Sequence, residues 1–510
     1  MDSGSKRIAK NTVYLYGRLL LVLVVSLYTV RVVLNALGVG DYGVYNVVGG
    51  FVSMFGFLNT SMANATQRFY NYEIGKNGHL AAIKVYNAAF KTQSYLAILL
   101  VVISEMIGLW YVNTYMDIPS DRLYAANFIF QFSIISLAIT ILQVPFAAAT
   151  MAYEKMDFYA LIGLVDVVLK LFIAILVKLF AGDRLILYGG LLLLISLTNY
   201  GLYFLYIKKN FPWLKLSPHQ DSRNFQKEML AFSGWNLLGS FAFMLRNQGL
   251  TVLLNYFFGV IVNAANGIAT QISSALQQFS TNLIIAFKPQ LVQSYAVEDY
   301  PRTREMLFMM SKTAFALLYM LSVPLMLNMD YILYLWLGSD VPEYTVILSN
   351  LVIITVLINC LHTPIVQVIH ATGKIKSFQI RTSMIICAVI PLSWAILKCG
   401  GTPESCYIVC ILVYILNQIY AMRMLKYVFN YKYTEYLNNV LFKCTVFSVL
   451  LPIIPVVSMH FIKDPCWTLL LSSLESLLIS VLLFLFIMLY KKERHSIISM
   501  IRSKLKIQKL

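Results

Sequence analysis

The sequence predicts an all-α integral membrane protein of about fourteen transmembrane helices, arranged as two pseudo-symmetric six-helix bundles followed by two further helices. Three observations carry this expectation. Hydrophobic residues make up 59% of the 510-residue chain and charged residues only 12%, a balance that a water-exposed surface does not tolerate. Apolar stretches of the roughly 20 residues that cross a bilayer recur from Thr12 to Tyr490 with short polar breaks between them. Two parts of the chain, about 220 residues apart, also read alike.

Taken in order, helices are expected near 12–36, 43–66, 85–112, 123–151, 158–180 and 185–207. The polar link KKNFPWLKLSPHQDSRNFQKE follows. Further helices are expected near 229–254, 262–287, 307–329, 344–371, 382–397, 405–422, 444–462 and 467–490. The second and the eighth are rich in Asn, Ser, Thr and Gln and carry the weakest apolar signal. The domain plan is a first bundle over 1–207, a linker over 208–228, a second bundle over 229–425, an added helix pair over 426–490 and a basic tail over 491–510.

Lys and Arg concentrate in cytoplasmic loops, so orientation is an independent test of the span count. With Met1 inside, about 29 of the 40 basic residues fall in inner segments, about 5 in outer ones and about 6 within spans. Both termini are therefore expected in the cytoplasm. The formal charge of +17 is topological and implies no nucleic-acid partner. The tail KKERHSIISMIRSKLKIQKL alternates basic and apolar residues, as an amphipathic helix lying on anionic lipid does. The first apolar run is longer than that of a signal peptide and is expected to stay in the chain. The seven cysteines have no metal-ligand spacing; Cys399 and Cys466 both fall near the expected outer face, where a disulfide is conceivable.

The internal repeat is specific in places. LQVPFAAATMAYEKMDFYALI, from Leu142, aligns with LHTPIVQVIHATGKIKSFQIR, from Leu361, pairing Pro145 with Pro364 and Lys155 with Lys374. VVLNALGVGDYGVYNVV from Val32 resembles VLLNYFFGVIVNAANGIAT from Val252, and Lys91–Thr92 recurs as Lys312–Thr313. Two six-helix bundles in parallel orientation follow, since an even number of spans preserves topology. In transporters of that plan, the substrate path runs between the bundles and access alternates.

Charges inside the membrane are costly and so carry information. Arg18, Arg31, Lys91, Lys170, Arg246 and Lys312 are the basic ones, with Glu105, Asp166 and Glu475 as acids. Each cation facing lipid at mid-helix would cost about 2.5–3.5 kcal/mol, so most must face protein or a water-filled cavity. Arg18, Lys91, Arg246 and Lys312 are the foremost cavity candidates. Arg31 lies close enough to the outer interface to snorkel. Asp166 and Lys170, four residues apart on one face, are either a structural pair or part of an ion-coupling site. A cation-lined cavity suits an anionic cargo such as a phosphate or pyrophosphate head group. Tyr14, Tyr16, Tyr28, Asn59, Asn64 and Gln67 in the first half, with Trp235, Asn236, Asn247, Asn263, Asn266, Gln271, Gln277 and Gln278 in the second, supply the amides and aromatic faces that bind sugars. Buried amides also hold helices together.

The opening KNTVYLYGRLLLVLVVSLYTVRVVLNALGVGDYGVYNVV, the segment ending AYEKMDFY, the doubled six-helix plan and the fourteen-span total together resemble the polysaccharide flippases of the O-antigen and capsule type. These form the polysaccharide-transport branch of the MATE-like multidrug/oligosaccharidyl-lipid/polysaccharide exporter superfamily. The resemblance runs nearly end to end. It implies a pair of bundles in the bacterial inner membrane that moves a polyprenyl-pyrophosphate-linked oligosaccharide from the cytoplasmic to the periplasmic leaflet, with a polysaccharide polymerase and a chain-length regulator as possible partners beside membrane lipids. It also implies a cationic residue where Arg18 stands. No cofactor is expected, and H+ or Na+ is the possible coupling ion. Two rivals stand beside this reading. A multidrug exporter of the same superfamily would move cationic drugs and usually has twelve spans. A membrane polymerase or ligase acting on the same lipid-linked glycan generally has a substantial outer loop, and no outer loop here much exceeds a dozen residues. Nor is there a metal cluster, a nucleophile motif or a pair of catalytic carboxylates, so no enzymatic activity is expected.

Overall fold

The computed structural model describes residues 3–53, 55–114, 118–217, 223–338, 341–429, 433–462, 464–489 and 494. Most of the expected amphipathic tail, 491–510, lies outside them. The described chain is helical: α1 (Ser3–Ser53), α2 (Gly56–Asn77), α3 (His79–Thr114), α4 (Leu123–Ala152), α5 (Met156–Leu179), α6 (Arg184–Asn210), α7 (Arg223–Ala296), α8 (Tyr300–Leu327), α9 (Met329–Leu337), α10 (Thr345–Thr372), α11 (Lys376–Lys398), α12 (Pro403–Phe429), α13 (Thr434–Met459) and α14 (Pro465–Met488). Among the described residues, twelve helical stretches are long and apolar enough to cross a membrane.

The expected fourteen crossings differ from those twelve at two places. The part of α1 beyond Gly38 is too short on its own, and α2 and the part of α7 beyond Gly259 are long enough but too polar. These are the second and eighth expected spans. Loops expected around 37–42 and 255–261 are also absent. Helical structure continues through both, bent at one glycine each: Gly38 at φ 79°, ψ 168° and Gly259 at φ 79°, ψ −165°. Only glycine enters that region without strain, so a single residue does the work of a loop.

The backbone repeats the sequence duplication. Gly38 and Gly259 share one conformation about 221 residues apart. Pro145 in α4 and Pro364 in α10 hold the same place within their helices. Past each, the helix stops at a residue of positive φ, Glu154 at 57° and Gly373 at 76°.

The chain divides into two compact units, Lys10–Leu237 and Leu238–Leu510 with the first nine residues. In the first unit, α4 packs on α2, α3 and α6. Its core joins Val44, Val48 and Val52 to Ile129, Phe130, Ile134 and Leu185. A Cβ on Gly189 would meet the Ile129 side chain, which is how α4 and α6 come close. Arg122, before α4, pairs with Asp41 and lies 3.1 Å from Asp183, the N-cap of α6; the Asp41 carboxylate raises the guanidinium above its ordinary value. Tyr153, after α4, stacks on His79 and Phe211, donates to the His79 carbonyl at 2.9 Å and accepts from Trp213 Nε1 at 3.3 Å. Burial raises its hydroxyl above the usual range, which keeps it a donor.

In the second unit, α10 packs on α8 and α12, and α14 on α8. Thr468, Ser472, Ser476 and Ser480 of α14 are all buried, while Leu470, Leu474, Leu477 and Val481 are exposed. A four-residue period of small hydroxyl residues makes one face that lets helices approach closely. Asn328 donates to Ser472 at 3.0 Å across that seam, and Lys312 Nζ donates to the Met488 carbonyl at 2.7 Å.

Candidate functional site

Each unit places charged side chains among its helices. In the first, Arg18 of α1 is half-buried, with its guanidinium 4.8 Å from the Tyr159 ring centroid. Such a contact contributes about 0.5–2 kcal/mol, more as water is excluded. The α5 backbone at Gly163 has no side chain, and a Cβ there would collide with the guanidinium. Arg18 Nε is buried and without a hydrogen-bond partner. Lys91 on α3 is half-buried, and Arg31 on α1 is exposed.

Asp166 and Lys170 of α5 form an ion pair of 2.8 Å, and Asn199 of α6 donates to the other carboxylate oxygen at 2.8 Å. They line a cavity of about 610 Å³ with Ser133, Ser136, Thr140 and Gln143 of α4 and Ser196 of α6. A second cavity of about 250 Å³, on Ser26, Thr29, Tyr42 and Tyr188, also reaches Lys170. The other two intramembrane acids have donors as well: Gln131 reaches Glu105 at 3.0 Å, and Ser458 reaches Glu475 at 2.8 Å.

Arg246, on α7 in the second unit, is buried. It lies against the faces of Phe243 and Tyr414, with centroids 4.9 and 5.3 Å away. Its two terminal nitrogens meet Asn247 Oδ1 and Cys410 Sγ. Its Nε is buried without a partner. No carboxylate among the described residues pairs with it, so a cation stands in a low-dielectric setting with only neutral dipoles and ring faces around it. Such a charge is costly unless an anion reaches it. Arg246 borders a cavity of about 40 Å³ with Asn247, Asn266, Ser273, Gln277, Asn359 and Tyr407, enough for a few waters. Asn266 is oriented by Tyr407, which donates to its Oδ1, and by Thr251, which accepts from its Nδ2 at 3.2 Å.

Of the residues singled out from sequence, the structure gathers Arg246, Asn247, Asn266 and Gln277 at one cavity and Asp166 with Lys170 at another. Lys312 is 1% exposed, bound to a carbonyl of α14, and lines none of the three cavities. Tyr407, Cys410 and Tyr414, which complete the Arg246 surroundings, were not among the residues read from sequence. Nothing local in α12 signals them, because their partner lies about 160 residues earlier. Among the described residues, no group of three or more His, Cys, Asp or Glu is placed to hold a metal ion.

No protein-family model and no curated protein sequence matches the chain. Solved structures do match in shape. An outward-facing multidrug-resistance MATE family transporter of the MOP superfamily has a TM-score of 0.70 at 12% identity, over 82% of this chain and 96% of that one. A MOP superfamily transporter from Pyrococcus furiosus, described as having a binding pocket of reverse polarity that suggests a different function, has 0.70 at 12%, over 85% and 100%. A MATE structure in the straight conformation has 0.71 at 12%, over 83% and 97%. The chain is thus a multi-pass membrane protein with the fold of the MATE-type transporters of the MOP superfamily.

Proposed function

We propose that the protein is a flippase that moves polyprenyl-pyrophosphate-linked oligosaccharide units across the bacterial inner membrane by alternating access, with both termini in the cytoplasm. The observation that carries this reading is Arg246, a buried guanidinium with no carboxylate partner beside a cavity lined by amides and tyrosines. An anionic head group would supply the missing charge, and the amides would meet sugar hydroxyls. Arg18, with an idle Nε and a tyrosine face beneath it, is the matching cation of the first unit. Lys91 and Lys170 are further cations on the path, Arg31 an outer one, and Asp166 the candidate for H+ or Na+ coupling. At about 40 Å³ the Arg246 cavity is closed to a head group in this state, so loading requires its helices to part. The product would pass to a polymerase and its chain-length regulator.

A second reading, export of cationic drugs, is supported by the likeness to multidrug MATE structures. It fits less well with a cavity whose charge is a guanidinium, and the one carboxylate of the larger cavity is already paired with Lys170. The two separate in liposomes holding a polyprenyl-pyrophosphate glycan, scored by a membrane-impermeant glycan-cleaving enzyme. Wild type is expected to move the lipid, and Arg246→Gln to slow it tenfold or more while retaining its melting temperature. Movement of cationic dyes with none of the glycan lipid would replace this reading with drug export.

A further inference from the structure

His362 lies deep within α10, ten residues from Thr372 and seventeen from Thr345, or about 15 and 25 Å from the helix ends. Its side chain is buried. An ionisable group at that depth is costly in an apolar layer and marks an ion path or proton relay unless packing alone accounts for it.

The contacts of the ring go beyond packing. Nδ1 is 3.3 Å from Gln418 Oε1, and Nε2 is 3.3 Å from Asn417 Nδ2, both on α12. An amide oxygen only accepts, so Nδ1 carries the hydrogen. An amide nitrogen only donates, so Nε2 is bare. With the two amides in this orientation the ring is neutral. The other end of the same amide, Asn417 Oδ1, is buried with no partner. A half-turn of that amide exchanges its two ends and sets an acceptor against Nε2, which is what a doubly protonated ring requires. The idle oxygen is the acceptor for the charged state.

The state of the ring is also tied to the backbone. Gln418 Nε2 donates to the Leu361 carbonyl at 3.3 Å, and the one hydroxyl hydrogen of Tyr436 on α13 is shared between that oxygen and Ser311 Oγ, each 3.1 Å away. Pro364 has no N–H and leaves the Cys360 carbonyl, one residue before Leu361, without its helical donor. Side chains of α12 and α13 thus brace α10 at its weakest turn, next to the ring.

The ionisable groups on the surrounding elements include no carboxylate in contact with the ring, among the described residues. On α12 they include Tyr420, which like His362 stacks on the Phe378 ring, exposed Arg423, and the carboxylate of Glu404, near the start of the helix and more than a dozen residues from Asn417. Arg381 of α11 lies over Tyr420. On α8, Lys312 is held by the Met488 carbonyl, and Tyr319 donates to Ser448. On α9, Asp330 is exposed, and Tyr331 and Tyr334 are its other ionisable groups. The second arm of α7 carries Lys288 and Tyr295, α13 carries Tyr436, Lys443, Cys444 and Glu435, the last paired with Arg304 at 3.2 Å, and α10 itself carries Cys360 and His370. The amides can solvate an imidazolium and cannot neutralise it, so protonation goes with entry of water or movement of the braced turn.

We propose that His362 is a proton-binding site, in which the Asn417 amide turns over to match the charge of the ring and the Gln418–Leu361–Tyr436 contacts carry that change to the helical turn at Pro364 and to α13. The site stands whether or not the cargo is a glycan lipid.

The test is an NMR titration of the full-length protein in nanodiscs with 13C-labelled histidine, assigned by the signal lost in His362→Gln. The His362 ring is expected to titrate reversibly while the fold persists. Asn417→Asp, which offers a carboxylate, should raise its midpoint by about one pH unit or more. Asn417→Leu, which removes the acceptor, should lower it. Under an imposed pH gradient in liposomes, His362→Gln should abolish protein-dependent proton movement read by an internal dye while keeping the wild-type melting temperature. A ring that stays neutral until the protein unfolds, or a midpoint unmoved in Asn417→Asp, would overturn the proposal and leave His362 a packing residue.

Discussion

Arg18 is held where it is by the absence of a side chain. Because a Cβ at Gly163 would meet the flexible end of Arg18 and not backbone, Gly163→Ala should fold with little loss of stability and displace the guanidinium from Tyr159. Glycan-lipid movement by Gly163→Ala should then fall toward that of Arg18→Gln, with melting temperatures within a few degrees of wild type. Normal movement would show that the position of Arg18 is unimportant. Arg246 was legible in the sequence as a cation inside a span, and so were the amides Asn247, Asn266 and Gln277, because polar residues in an apolar run stand out. Its aromatic wall was not, because Tyr414 belongs to a helix joined to Arg246 only by tertiary packing. His362 was passed over for another reason. A buried histidine in an apolar helix reads as core, and only its amide partners on α12, with the idle oxygen of Asn417, distinguish it.

Among elements, the bends at Gly38 and Gly259 are the sharpest commitments of the backbone. Alanine at either position would hold φ near 79° at a cost of about 1–3 kcal/mol. Both Gly38→Ala and Gly259→Ala should therefore lower the melting temperature in detergent, and by similar amounts, since the two residues share one conformation. An unchanged melting temperature in either would mean that the bend relaxes freely. The sequence alignment brought these regions together but placed loops there, because hydropathy cannot distinguish a short loop from a single glycine of positive φ. Pro145 and Pro364 were legible as a repeated pair. The wide turns at Ser104–Gly108 and Leu437–Leu441, where the helices loosen to five-residue hydrogen bonding, leave no compositional mark. The hydroxyl face of α14 was present in the sequence at every fourth residue, but it gains meaning only once α8 is seen against it.

For the whole molecule, the distribution of Lys and Arg predicts an orientation that native cysteines can check. Cys399 and Cys466 are the exposed members of the seven, and both are free thiols; the expected topology puts both outside the cell membrane. A membrane-impermeant maleimide applied to intact spheroplasts should label the protein, and the double variant Cys399→Ser, Cys466→Ser should remove nearly all of that signal. Labelling only after lysis would invert the topology. The fold class was legible because composition and span length leave few alternatives, and the doubling was legible because offsets repeat. The division at Leu237–Leu238, inside α7, was not, since contacts and not polar links define it. The Lys312–Met488 bond has a consequence for how the chain is made. Residue 312 enters the membrane well before residue 488 is synthesised, and the carbonyl that it binds arrives only with the end of the last helix. That contact between α8 and the end of α14 therefore closes only after α14 has been made, so this part of the second unit is sealed late in synthesis.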